Sequence, residues 1–81
     1  MIMKRKIINS AKRVFSTCKR GDVVDCYING KVVASYEFLT DYDAEYHEPD
    51  AETPLDWVNG VFCWEIRMRG LENPIVAFKK R

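Results

Sequence analysis

Near the amino terminus, apolar side chains recur with the spacing of one helix face, and this pattern constrains the fold of the 81-residue chain more than any other feature. The spacing is i, i+1, i+4, i+7, i+8, i+11, which places side chains on one side of an α-helix. The residues concerned are Ile7, Ile8, Ala11, Val14, Phe15 and Cys18. Gly21 follows where a helix commonly ends. We therefore predict an amphipathic helix over residues 6–20.

The opposite side of this predicted helix is cationic. At about 100° per residue, five positive side chains share it: Arg5, Lys12, Arg13, Lys19 and Arg20. Residues 1–20 contain no Asp or Glu. A face of this kind suits contacts with phosphate groups, so it supports an alternative functional hypothesis of nucleic-acid binding.

A β-hairpin is predicted immediately after the helix. Two runs rich in β-branched and aromatic residues, 23–28 and 31–38, flank the dipeptide Asn29-Gly30. That dipeptide readily supplies the two positive-φ positions of a type I′ turn. A two-residue turn places Tyr27 opposite Val32.

The same register places Val23 opposite Tyr36 on that face of the hairpin. The other face is also partly apolar, since it carries Val24, Cys26, Ile28 and Val33. The pattern therefore leaves open which face the helix covers.

The carboxyl-terminal third predicts a second hairpin. Residues 62–69 alternate between apolar and polar side chains, which is typical of a half-buried strand with Trp64 in the core. Residues 70–74 form the connection to a last strand over 75–79. Before this hairpin, Pro54 can begin one helical turn, because proline loses no needed donor at the first helical position.

These elements predict an α+β fold: one N-terminal amphipathic helix packed on an antiparallel sheet of about four strands, formed by two hairpins. Residues 1–81 are expected to form a single domain. Two units of about forty residues would each bury too little apolar surface to offset chain entropy.

The segment between the hairpins is acidic. Residues 41–52 contain no Lys or Arg and six carboxylates: Asp41, Asp43, Glu45, Glu48, Asp50 and Glu52. The segment is also poor in aliphatic side chains, so we predict a loop. Four of these carboxylates match positions 1, 3, 5 and 12 of a calcium loop, but Tyr46 stands where the sharp turn requires glycine, and no metal site is predicted.

Two interpretations of the acidic loop remain open. It is either a solvated surface loop or an anionic, aromatic surface that binds a basic partner. Trp57 follows the loop and is the tryptophan that we expect to be exposed, as an anchor for a partner. The candidate partner-binding residues are Asp41, Tyr42, Asp43, Glu45, Tyr46, Glu48 and Trp57.

No catalytic, metal or cofactor site is predicted. The three cysteines and His47 match no zinc-binding spacing, and Cys18, Cys26 and Cys63 each fit the interior of a predicted element as buried thiols. An odd number of cysteines, together with the absence of a signal-peptide pattern, predicts a reducing, cytoplasmic location. No run approaches the roughly 20 apolar residues of a membrane span, so no membrane partner is expected.

The function predicted from the sequence is that of a small non-enzymatic binding protein, which modulates or inhibits a protein partner through its acidic loop. Short chains without catalytic groups are typical of phage and mobile-element accessory proteins. The alternative is a nucleic-acid-binding domain that uses the cationic helix face. A homodimer formed across an exposed hairpin edge is also open.

Overall fold

The computed structural model describes residues 2–42 and 53–81, with side chains from Lys6 onward. Within these ranges the chain forms two helices and three strands, which in order are α1 (Ile2–Phe15), β1 (Val23–Ile28), β2 (Lys31–Glu37), α2 (Pro54–Arg69) and β3 (Val76–Lys80). The α+β class is confirmed. The four-stranded sheet is not, because the described strands form one antiparallel sheet with the order β2-β1-β3.

The predicted first hairpin is present. Asn29 has φ 51° and Gly30 has φ 81°, which are the two positive values of the expected turn. Tyr27 pairs with Val32 as predicted.

Further from the turn the predicted register is wrong by one residue. Val23 pairs with Glu37 rather than with Tyr36, because a β-bulge shifts the register between Cys26 and Tyr27. A bulge places one extra residue on one strand, which alternation alone does not reveal.

The predicted strand over residues 62–69 is wrong, because these residues form the second half of α2. The Thr53 side chain caps this helix by accepting a hydrogen bond from the Asp56 backbone N–H at 3.2 Å. Pro54 occupies the first turn, as the sequence predicted, and Gly70 closes the helix with φ 61°. The helical turn predicted at Pro54 therefore continues to Arg69, and the second hairpin does not form.

The first helix lies nearer the amino terminus than predicted. It spans Ile2–Phe15 rather than residues 6–20. After Phe15, the Thr17 hydroxyl donates to the Val14 carbonyl at 2.7 Å and the Ser16 hydroxyl donates to the Arg13 carbonyl at 3.4 Å. Such hydroxyl groups compete with the helical backbone pattern, which accounts for the early end of the helix.

Both helices cover the same face of the sheet. Val24, Cys26 and Ile28 of β1 are buried with apolar residues of both helices in one cluster, which settles the question that the sequence left open. Phe15 lies within this core, with ring centroids 5.1 Å from Phe38 and 6.0 Å from Phe78. None of the described helices is long and apolar enough to cross a membrane.

Candidate interaction surface around Trp57

Three of the predicted partner-binding residues, Asp41, Tyr42 and Trp57, lie in the part of the chain that the structure describes. The others, which are Asp43, Glu45, Tyr46 and Glu48, lie outside the described residues, as does His47.

Trp57 lies in the amino-terminal part of α2 and remains 40% exposed, in agreement with its predicted exposure. Its indole ring packs against Tyr36 of β2, with the ring centroids 5.2 Å apart and the ring planes tilted by 57°. Its backbone N–H donates to the Thr53 carbonyl at 3.0 Å. The side chain is therefore held between a helix and a strand while one side of it faces solvent.

An open cavity lies beside this aromatic pair. Its volume is about 430 Å³, and it is lined by Tyr36, Thr53, Asp56 and Trp57. A second cavity of about 190 Å³ also has Tyr36 in its wall, together with Phe38, Leu39, Thr40, Asp41, Tyr42 and Pro54. Because Tyr36 borders both, the two cavities lie next to each other. We call Tyr36, Leu39, Asp41, Asp56 and Trp57 the Trp57 surface.

The Trp57 surface combines apolar and acidic side chains. Leu39 is 74% exposed, which is high for an aliphatic residue beside two aromatic rings. Asp41 lines one cavity and Asp56 lines the other. A ligand that occupies both cavities would therefore meet aromatic and apolar side chains and one carboxylate in each cavity.

The chain is anchored on both sides of residues 43–52. Before them, an Asp41 carboxylate oxygen accepts a hydrogen bond from the Arg20 backbone N–H at 3.0 Å. Tyr42 is buried against Phe15 and Phe38, so the structure places this predicted contact residue in the core rather than at the surface. After them, Thr53 is buried as the cap of α2.

The predicted cationic helix face is divided. Lys12 and Arg13 lie in α1, whereas Lys19 and Arg20 lie in the turn that follows it. The side chain of Arg5 lies outside the described part of the chain. The structure therefore does not place these residues on one continuous helix face.

Acidic groups lie close to the two turn residues. An Asp22 carboxylate oxygen accepts from the Lys19 backbone N–H at 2.8 Å and lies 3.7 Å from the Lys80 ammonium nitrogen. The Asp41 carboxylate is bound to the Arg20 backbone, as described above. These carboxylates reduce the positive potential around Lys19 and Arg20.

The thiols of Cys18 and Cys26 are poor nucleophiles at neutral pH. Burial raises the pKa of Cys26 to about 12, and burial together with the nearby Asp22 charge raises the pKa of Cys18. Cys63 is half-buried on α2, with its sulfur 3.7 Å from the Asn59 side-chain oxygen. Among the described residues, no group of three or more His, Cys, Asp or Glu side chains could hold a metal ion.

Sequence reasoning missed Tyr36, Leu39 and Asp56 of the Trp57 surface, because Tyr36 and Leu39 are far from Asp56 and Trp57 in the chain. The order Thr53-Pro54, with Asp56 two residues further on, is a helix-start signal that could have placed Trp57 on a long helix. Trp64, predicted in the core, is 60% exposed on the outer side of that helix. Comparisons with protein-family models, curated proteins and solved structures find no match to this chain.

Proposed function

We propose that this protein is a small non-enzymatic binding protein that modulates or inhibits a protein partner through the Trp57 surface and the acidic residues 43–52. The observation that carries the proposal is the partly exposed Trp57–Tyr36 pair beside two neighbouring cavities, one lined by Asp56 and the other by Asp41. Tryptophan and tyrosine held in this way are the side chains that most often dominate the binding energy of protein interfaces.

The partner that fits this surface presents an apolar side chain flanked by Lys or Arg. The apolar side chain would enter the cavity beside Trp57, and the basic residues would meet Asp41 and Asp56. Residues 43–52 add Asp43, Glu45, Glu48, Asp50 and Glu52 in the same part of the sequence, with no Lys or Arg. Complementary charge of this kind mainly increases the association rate and the selectivity.

The rigidity of the Trp57 surface also favours binding. Trp57 is on a capped helix and packs on a strand, so little side-chain freedom remains to be lost when a partner binds. The anchored residues Asp41, Tyr42 and Thr53 fix the chain on both sides of the acidic residues 43–52.

The proposal is tested in two stages. A photo-crosslinking residue at position 39 first captures a partner from cell lysate, and mass spectrometry identifies it. Calorimetry with the purified partner then measures the affinity of the wild type and of two variants. One is Trp57→Ala, and the other combines the isosteric changes Asp41→Asn and Asp56→Asn. Val32→Ala, on the opposite side of the sheet, is the control.

We expect Trp57→Ala to weaken binding by about 30-fold or more, which is the effect of losing a hot-spot residue. The amide pair should weaken binding less and reduce its dependence on salt, because two charges are removed without a change of shape. Val32→Ala should bind as the wild type does. Unchanged affinity in both Trp57→Ala and the amide pair would refute the proposal.

Nucleic-acid binding through Arg5, Lys12, Arg13, Lys19 and Arg20 remains the alternative. An electrophoretic shift assay with short RNA and DNA separates the two functions. If the alternative holds, wild-type protein is retained at low salt and the reversal of Lys12, Arg13, Lys19 and Arg20 to Glu abolishes retention. Absence of retention by the wild type at low salt would exclude it.

A further inference from the structure

We infer that the outer face of α2 binds a second copy of this chain, with the two α2 helices antiparallel across a two-fold axis. The first observation is that α2 is apolar on both sides. Its inner side contributes Leu55, Val58 and Phe62 to the core. Its outer side carries Trp64 and Met68, which are 60% and 65% exposed. Large apolar side chains that lie side by side on an exposed surface commonly mark a contact with another protein.

The exposed apolar residues form one continuous stripe. Trp64 and Met68 follow Trp57 by seven and eleven residues, so at about 100° per residue the three side chains lie within about 40° of one another. Gly60 lies beside the stripe, and a Cβ atom added there would meet no atom of the described residues within 4 Å. Packing within the chain therefore does not require this glycine, whereas close approach of another helix would be favoured by it.

The charges beside the stripe indicate which partner fits. Asp56 and Arg67 are eleven residues apart and lie on the same edge of the stripe, one towards each end of the helix. Glu65 is already paired with Arg69 at 2.8 Å, but neither Asp56 nor Arg67 forms an ion pair within the described parts of the chain. Among the residues that the structure describes, this edge therefore has one negative and one positive charge without an ion-pair partner.

An antiparallel second copy satisfies both charges at once. Two-fold symmetry places Asp56 opposite Arg67 of the partner subunit and repeats the same contact at the other end. It also places Trp57 opposite Trp64 of the partner subunit, with the Gly60 positions near the axis. A parallel arrangement would instead place the two Asp56–Arg67 edges on opposite sides of the interface, where these charges could not pair. The stripe is thus complementary to itself in one orientation.

The size of the stripe predicts a weak dimer. Its partly exposed aromatic and Met side chains offer roughly 300–400 Å² of apolar area per copy, compared with about 800 Å² per partner in a standard stable interface. A dissociation constant on the order of 10–100 μM is therefore expected. Trp57 and Asp56 belong both to the Trp57 surface and to the dimer surface of α2. Binding of a partner protein and dimerisation therefore compete for these two residues.

Sedimentation of the purified chain at about 5–500 μM tests the dimer directly. Over this range of concentrations, a dissociation constant of the expected size would shift the chain from mostly monomer towards dimer. We expect the weight-average mass to rise towards that of a dimer in the wild type. Trp64→Glu should remain monomeric throughout. The matched control Val32→Glu places the same charge at a position that is 54% exposed on the sheet side and should dimerise as the wild type does.

A charge-exchange cycle then tests the antiparallel arrangement. Asp56→Lys and Arg67→Glu should each weaken dimerisation by about tenfold, because each brings like charges together. The double variant should recover to within about threefold of the wild type, since the pair is restored with its signs reversed. Circular dichroism confirms that each variant is folded.

Three results would overturn the inference. They are a wild-type chain that sediments as a monomer at every concentration, an undiminished dimer in Trp64→Glu, and a double charge variant that dimerises no better than the singles. Trp64 lies outside the Trp57 surface, so each of these results leaves the proposed partner binding to be judged by its own experiment.

Discussion

The carboxylate of Asp25 connects the last residue of the chain to the middle of the sheet. One of its oxygens accepts hydrogen bonds from the Arg81 guanidinium at 2.8 Å and from the Ser35 hydroxyl at 2.7 Å. Both hydrogen bonds lower the pKa of Asp25, and the bond from Arg81 contributes more than the bond from Ser35. The Asp25 carboxylate in turn raises the pKa of Arg81. A single side chain thus joins β1, β2 and the end of β3.

This arrangement predicts a pH dependence of stability. A carboxyl group whose pKa is lower in the folded state stabilises the fold above its unfolded-state pKa, near about 3.9. That contribution is lost as the pH falls through the folded-state pKa. Asp25→Asn should therefore be slightly less stable than the wild type at pH 7, and the difference should shrink below about pH 4 and vanish at lower pH.

Urea unfolding at pH 7, 5 and 3 measures this difference. Glu37→Gln is the matched control, because Glu37 is an exposed carboxylate of β2 that forms no ion pair among the described residues. Its stability relative to the wild type should change less with pH than that of Asp25→Asn. A difference between the wild type and Asp25→Asn that stays constant from pH 7 to pH 3 would contradict the assigned role.

At the level of elements, local signals predicted an N-terminal helix without its correct bounds, the first hairpin and the last strand, but they failed for α2. Residues 62–69 fit a two-residue period, yet Phe62 and Ile66 also continue the helical spacing that begins at Leu55 and Val58. Over a segment as short as residues 62–69, the two-residue period of a strand was chosen in place of the helical period. The pairing of β3 with β1 was also unpredictable, because an intervening helix separates the two strands and no turn fixes their register.

The two glycines of α2 predict opposite effects of the same substitution. Gly60 lies inside the helix with open space around it, so Gly60→Ala should stabilise the monomer by about 1 kcal/mol through helix propensity. Gly70 closes the helix with φ 61°, where a Cβ is strained, so Gly70→Ala should destabilise it by about 1 kcal/mol.

Thermal and urea unfolding at a few micromolar protein would compare the two glycine variants in the monomer. Each variant is the control for the other, because both replace glycine by alanine in one helix. Equal effects of the same sign would contradict the assignment of Gly60 as a helical position and Gly70 as the left-handed cap.

For the whole molecule, the helix layer and the outer sheet face differ in chemistry. The outer sheet face carries the Asp25 network and the Lys79 ammonium 5.3 Å from the Tyr27 ring centroid, so its contacts are polar and internal. The helix layer instead exposes Trp57, Trp64 and Met68. The sequence indicated an exposed Trp57 but assigned Trp64 to the core, because the outer side of a helix is defined only once its partners are known.

Phe15 joins α1 to the rest of this core. Its ring contacts Tyr36, Phe38, Tyr42 and Phe78 at centroid distances of 5.1–6.0 Å. Phe15→Ala should lower the free energy of unfolding by about 3–5 kcal/mol. Because a domain is typically stable by only roughly 5–15 kcal/mol, this variant should be largely unfolded at 37 °C. Phe15→Leu should remain folded and cost about 1–2 kcal/mol.

The milder variant tests whether the two helices unfold as one unit. Both tryptophans lie in α2, so fluorescence reports α2, whereas far-UV circular dichroism reports both helices. Because α1, α2 and the sheet share one cluster, Phe15→Leu should shift both urea transitions equally although the substitution is in α1. Val32→Ala, which is exposed, should shift neither by more than about 0.5 kcal/mol. A fluorescence transition that stays at its wild-type midpoint while the dichroism transition moves would show that α2 is stable without α1.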